Sequence, residues 1–422
     1  MQPLTLLFLL AVVAGTATRL WLANRQIAAV MRHRTQVPEP FAHTISLNDH
    51  HKAADYAVAR TRFGRLDTLI DALLLLGLTL GGGIEAIDRL WRTLPLAEPW
   101  HGALVIASVL LVVALIGLPL SLWGTFRIEA RFGFNHTTAT LFFVDRLKGL
   151  LLGLVIGGPL LLAALELMRH TGALWWLYVW ALWLTVSLAL TWAYPALIAP
   201  LFNRFSPLND ATLRTRIETL LRRCGFASRG VFIIDGSRRS AHGNAYFTGV
   251  GHNKRIVFFD TLISTLEPAE IEAVVAHELG HFKLHHVRRR LLVSAIVALA
   301  GLALLGWLAA RPWFYQGLGL SAASDYGALL LFMFVAPAFT FFVTPLAARW
   351  SRRDEFAADA FAALHAPATE LIAALVKLYR DNATTLTPDP VHSRFYDSHP
   401  PALARIARLR QLSAQPTSQV SA

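Results

Sequence analysis

His277-Glu278-Leu279-Gly280-His281-Phe282-Lys283-Leu284-His285-His286-Val287-Arg288-Arg289-Arg290 runs straight into an apolar stretch from Leu291 to Ala310, and this junction decides how the chain is read. Residues four apart on a helix share a face, so His277 and His281 can reach one ion. Glu278, offset by one position, reaches the ion's water instead. That is the donor pattern of a zinc site with a general base. The run that follows is about as long as a bilayer-crossing helix requires. Metal chemistry is therefore expected at a membrane boundary.

The rest of the chain agrees with a membrane setting. Its 422 residues are 55% hydrophobic and only 16% charged, with 12 Trp and 25 Phe. Mean hydropathy is +0.47, too apolar for a soluble protein of this size. The net charge of +12 is spread between apolar runs, with no Lys/Arg block interleaved with aromatics, which argues against a nucleic-acid partner. A single cysteine, Cys224, excludes an intrachain disulfide and a cysteine-based zinc site, so any metal must be held by His and carboxylate.

Seven stretches approach or exceed the span length: Pro3 to Ala23, Thr68 to Ile87, His101 to Trp123, Lys148 to Met168, Leu174 to Ile198, Leu291 to Ala310 and Tyr326 to Ala348. The first is expected to be a retained span, because basic residues follow it and none precede it. Arginine-rich loops alternate with arginine-poor ones: Arg25, Arg32, Arg34, Arg60, Arg62 and Arg65 follow the first span, but only Arg89 and Arg92 follow the second. The positive-inside rule then puts the N-terminus outside and the metal motif and C-terminus in the cytoplasm. Asp71, Glu85 and Glu166 lie in or at the ends of spans, where they need protein or water around them. The expected fold is an all-α polytopic membrane protein with seven transmembrane helices and a small β element in a cytoplasmic insertion.

Residues 1–199 form the expected N-terminal membrane region with five spans, and 200–290 the insertion that carries the zinc motif. Spans six and seven occupy 291–348, a C-terminal region completing the site occupies 349–412, and a disordered tail 413–422. Within the insertion, an amphipathic helix is expected near Ala211 to Arg223, with strands at Val231 to Ile234 and Arg255 to Phe259. Ser237 to Gly249 reads as a turn leading into a polar-aromatic strand, either an ordinary hairpin or an edge offering its backbone to a peptide. Glu267-Pro268 opens the zinc helix, since Pro fits a first turn and acids suit a helix N-terminus. A third ligand has to be His, Asp or Glu. Glu355 and Asp359 share a helix face beyond span seven: one can bind metal while the other orients a ligand imidazole, or both can form a salt-bridged surface with Arg352 and Arg353.

At this point the chain resembles the Ste24-type CAAX prenyl proteases, integral membrane zinc metalloendopeptidases of family M48. The resemblance rests on Ile128-Glu129-Ala130-Arg131-Phe132-Gly133-Phe134-Asn135, Asn244-Ala245-Tyr246, the zinc helix, Glu355 to Asp359, and Ser398-His399-Pro400-Pro401. It implies a gluzincin-like site with one Zn2+ held by His277, His281 and Glu355, Glu278 as catalytic base, and Asp359 behind the ligands. It implies also that His399 hydrogen-bonds the developing oxyanion, that Arg405 belongs to the same centre, and that Asn244, Ala245 and Tyr246 bind substrate. The implied partners are a peptide or lipidated protein substrate and membrane lipids. A membrane quality-control metalloprotease is the alternative within enzymes; a transporter or scaffold with a structural zinc, which would close all four positions with protein ligands, is the alternative outside them.

Overall fold

The computed structural model describes residues 2–226, 230–248 and 255–414. Gly249 of the expected strand and residues 415–422 of the expected tail lie outside the described residues. The first half is helical: α1 Pro3–Arg32, α2 Leu47–Leu78, α3 Gly83–Trp91, α4 Trp100–Trp123, α5 Ala139–Leu152, α6 Gly158–His170, α7 Trp175–Ala193 and α8 Ala199–Phe202. Single π turns at Gly124–Glu129, Gly153–Gly157 and Tyr194–Ile198 prolong or join them into runs Trp100–Glu129, Ala139–His170 and Gly172–Phe202.

The insertion follows, with β1 Phe205–Pro207, α9 Ala211–Arg223, β2 Val231–Ile234, β3 Ala245–Thr248, β4 Arg255–Phe259, α10 Asp260–Thr265 and α11 Pro268–Lys283. The chain then re-enters the bundle as α12 His286–Ala309, α13 Pro312–Gly317 and α14 Asp325–Thr340. It continues through α15 Thr344–His365 and closes with α16 Ala368–Asp381, α17 Pro390–Tyr396 and α18 Ala402–Ser413.

Among the described residues, six helical runs are long and apolar enough to cross a membrane, and α2 with α3 makes a seventh only as a pair bent by 49°. The expected straight span over Thr68 to Ile87 is thus broken. Its cause is Gly81-Gly82-Gly83, where Gly82 adopts a left-handed φ of 76° that a side chain would resist. The bundle packs around Phe8, Ile84, Val105, Val109, Leu165, Leu305 and Leu330. Its outer surface is apolar as well, with Leu111, Leu150, Val155, Ile296 and Val297 all exposed, as a lipid-facing wall must be. An open pocket of about 280 Å³ between α1, α2, α4 and α14 collects Thr16, Arg19, Thr68 and Asp71 among apolar neighbours. Asp71 thus lines a pocket that also holds Arg19 and two hydroxyl side chains.

The insertion builds a separate core. Its sheet has the order β1-β2-β4-β3, with β2 and β4 parallel and the outer pairs antiparallel. β4 contributes Ile256, Val257 and Phe258 in an unbroken buried run, as a strand covered on both faces should. Among the described residues β3 pairs on one side only and leaves its other edge open. Ile217 and Leu220 of α9, Ile271, Val275 and Leu279 of α11, and Leu371 of α16 cover the sheet. α11 starts at Pro268, and Glu270 accepts the Glu267 N–H at 2.8 Å, so its first turn is capped.

α11 lies against α15 at unusually short range. A Cβ on Gly280 would stand 3.0 Å from Ala358 Cα and 3.2 Å from both Ala358 O and Phe361 Cβ, two of them backbone atoms that cannot step aside. Gly280→Ala is expected to force the two helices apart and to destabilise the protein by about 1–3 kcal/mol through overpacking. Thermal unfolding in detergent measures this, and a midpoint equal to wild type would contradict the contact.

Candidate metal and catalytic centre

The Gly280 contact brings two helix faces together. From α11 come His277 and His281, and from α15, four residues apart, Glu355 and Asp359. His277 Nε2 is 3.3 Å from His281 Nε2 and 3.5 Å from Glu355 Oε2, and His281 Nε2 is 3.3 Å from Glu355 Oε1. Among the described residues this is the one group of three His, Cys, Asp or Glu whose donor atoms converge on a point that could hold a metal ion. Glu355 is 3% exposed, and its Oε2 accepts no hydrogen bond. A buried carboxylate oxygen without a donor is costly unless a cation completes it.

Behind these three atoms the structure separates the two acids that the spacing alone leaves open. Asp359 is fully buried and sits 2.8 Å from His277 Nδ1, on the far side of the ring from Glu355. Arg405 of α18 grips Asp359 through Nε and a terminal nitrogen, both at 2.7 Å, a forked pair that fixes the carboxylate plane. Burial opposes the charge on Arg405, but the pairing with Asp359 outweighs it and raises its pKa further. Burial and Arg405 pull the His277 imidazole towards neutrality, yet the Asp359 and Glu355 carboxylates on its two sides win and hold its pKa up at about 9. The surroundings favour positive charge between these two carboxylates. Metal binding exchanges a proton for an ion in such a place.

Glu278 points elsewhere. It is half-buried and lines a cleft with Gly243, Asn244, Ala245, His399 and Arg405, and burial pushes its carboxyl pKa up. His399 is 64% exposed at the side chain and holds Nε2 3.5 Å from Glu355 Oε1, so it stands at the mouth of the cleft. Ser398 Oγ lies 3.0 Å from its Nδ1. The structure thus gathers His277, Glu278, His281, Glu355, Asp359, His399, Arg405, Asn244 and Ala245 into one place. Tyr246 is the exception: it stands next along β3, its ring is 6.4 Å from that of Phe259, and it does not line the cleft.

Two features were outside the sequence reading. The Ile128 to Asn135 stretch is tied to the approach to β3: Ala241 N–H donates to Phe134 O, Asn135 bridges Ser240, and His242 stacks on Phe134 with ring centroids 4.4 Å apart. Asn382 Oδ1 accepts the Gly243 N–H at 3.1 Å, and Glu129 accepts from Tyr56 of α2 at 2.8 Å. No local periodicity marks these pairs. The second feature is His286, whose Nδ1 lies 3.0 Å from His281 Nδ1 and which the sequence presents only as part of a histidine-rich stretch.

A helix whose two histidines converge with an acid from the last membrane helix on a point that could hold a metal ion is the arrangement of a metallopeptidase built into a bundle of spans. Comparison with known proteins gives the same class. Residues 26–204 match the CAAX prenyl protease N-terminal family, described as five membrane helices, and residues 207–413 match peptidase family M48. The chain is 32% identical over 414 residues to the CAAX prenyl protease 1 of Saccharomyces cerevisiae, covering 90% of this chain and 89% of that one. It is 38% identical over 315 residues to the Arabidopsis thaliana homologue, 74% of each chain. The crystal structure of S. mikatae Ste24p superposes with a TM-score of 0.89 at 28% identity, over 97% of this chain and 99% of that one. The chain belongs to this family, the Ste24-type CAAX prenyl proteases of peptidase family M48, and is an integral membrane metalloendopeptidase.

Arg405→Met would strand Asp359 and Glu355 without their nearest guanidinium. The expected cost is about 3–5 kcal/mol, the usual penalty for leaving one member of a buried ion pair alone. It would appear as a large fall in thermal midpoint, far beyond that of Arg408→Met at an exposed position of the same helix.

Proposed function

We propose that the chain is a zinc-dependent endopeptidase that cleaves peptide bonds in membrane-associated or lipidated substrates, with prenylated CAAX-type proteins as the class its relatives' names point to. The observation that carries the zinc reading is the donor set itself. Ligand atoms about 2.0–2.1 Å from a tetrahedral zinc stand about 3.3–3.5 Å apart. The His277 and His281 Nε2 atoms are 3.3 Å apart, each stands 3.3–3.5 Å from one of the two Glu355 carboxylate oxygens, and Glu355 Oε2 is buried without a hydrogen bond. Those residues would hold the ion. A bound zinc supplies Lewis acidity, activating water and polarising the scissile carbonyl.

The chain's own groups do the rest. Glu278, beside the first ligand and raised in pKa by burial, takes the proton of the attacking water and returns it to the leaving amine. His399 donates from Nε2 to the oxyanion as it develops. Asp359, held by Arg405, accepts from His277 Nδ1–H and so keeps Nε2 bare for the ion. The open edge of β3, entered through Asn244 and Ala245, offers N–H and C=O groups to a substrate laid alongside as an extra strand. In this reading residues 1–199 form the membrane region, 200–290 and 349–412 bring the catalytic groups together, and 291–348 carry the two spans between them. The alternation of arginine-rich loops supports an N-terminus outside and a centre facing the cytoplasm.

Glu278→Gln should reduce turnover of a peptide by at least about 10²–10⁴-fold while the purified protein keeps one zinc per chain. His277→Ala should lose the zinc. Metal analysis alongside a peptide-cleavage assay reads both, and a Glu278→Gln variant as fast as wild type would rule out its role as base.

A further inference from the structure

His277 and His281 each turn Nε2 towards Glu355, which leaves each ring a second nitrogen to satisfy. On His277 that nitrogen meets Asp359 at 2.8 Å. On His281 it meets His286 Nδ1 at 3.0 Å. Two imidazole nitrogens that close form a hydrogen bond only if one carries the hydrogen and the other does not. A ligand imidazole keeps its metal-facing nitrogen bare, so the hydrogen is on His281 Nδ1 and His286 Nδ1 accepts it. The hydrogen of His286 then sits on Nε2, which lies 3.8 Å from Asp354 Oδ1. His286 and Asp354 are each 3% exposed. Asp354 in turn pairs with Arg289 and faces Arg290 at 3.8 Å.

Spacing alone would not bring these histidines together. On an unbroken helix a residue five positions on is rotated by about 140° and leaves the face of the first. The helix breaks instead: α11 ends at Lys283, His285 takes φ 59° and ψ 25°, and α12 begins at His286. A histidine in the left-handed region is a strained choice, and such strain persists where the surrounding structure requires it. Its effect is to return the His286 ring to within 5.1 Å, centroid to centroid, of His281.

We propose that His286 is a positioning residue for the zinc site: it accepts the His281 Nδ1–H, backed by Asp354, and so holds His281 with Nε2 towards the ion. This rests on the zinc reading above. α15 then supplies Glu355 as ligand and also both acids, Asp354 and Asp359, that stand behind the two histidines.

The test is zinc affinity of the full chain in detergent, by competition with a chelator, for His286→Asn, His286→Gln and His286→Leu. Asparagine keeps an acceptor near the place of Nδ1, glutamine carries it one bond too far, and leucine has none. His286→Leu and His286→Gln should bind zinc about 10–100-fold more weakly, with His286→Asn restored to within about threefold of wild type. Wild-type affinity in His286→Leu, or equal affinities in the Asn and Gln variants, overturns the proposal; the Asn and Gln pair decides it even if the leucine variant fails to fold. His277→Ala separates the two readings. If it binds zinc as well as wild type, the zinc site itself is misassigned; if it does not, and His286→Leu does, only the role of His286 falls.

Discussion

The close passage of α11 over α15 is the contact on which the catalytic centre depends. At Gly280 the two backbones come so near that a Cβ would be crowded against α15, and this brings the histidines of one helix opposite the acids of the other. Four-residue spacing operates twice here, once as His277 and His281 and once as Glu355 and Asp359. Neither helix has a complete site. The buried acids could not be tolerated on α15 without the imidazoles and Arg405, and the imidazoles would have no third donor without α15.

Much of this was legible in the sequence because it follows from local periodicity. The spans stand out by length and hydropathy, and the strands at Val231–Ile234 and Arg255–Phe259 and the helix at Ala211–Arg223 occur with the expected bounds. The HExxH spacing predicted two imidazoles on one face with a carboxylate beside the first, and α11 has them so placed, since an α-helix converts spacing directly into direction. What was not legible depends on breaks and on distant partners. The bend between α2 and α3 needs a left-handed Gly82. β1, only three residues long and ending in Pro207, has no alternating pattern to announce it and is defined by its pairing with β2. His286 reaches His281 through a conformational exception at His285, so a helical wheel places it on the wrong side. The choice between Glu355 and Asp359 likewise required tertiary structure, because only the crossing of α15 decides which carboxylate meets Nε2 and which meets Nδ1.

The charged groups inside the bundle follow the same rule of mutual satisfaction. Asp88, which hydropathy did not single out, accepts from His101 at 2.8 Å, Tyr326 at 2.7 Å and Arg92 at 2.9 Å, joining α3, α4 and α14 at one end of the bundle. Glu85 pairs with Arg89 and accepts from Ser321, while Glu166 faces His170 one turn along its own helix. Asp71 differs: it shares an open pocket with Arg19 and two threonines rather than a tight pair. Each of these acids thus has a polar or charged neighbour, in a hydrogen-bonded cluster, an ion pair or a shared pocket.

The order in which the chain is made gives the α11 to α18 arrangement a further meaning. His277 and Arg405 are separated by 128 positions, with two whole membrane passages between them. A nascent chain that has released α11 from the ribosome has two histidines and a glutamate but no third donor, and when α15 arrives its buried acid still lacks its guanidinium. The donor group and the guanidinium behind it therefore come together only once α18 has docked against α15.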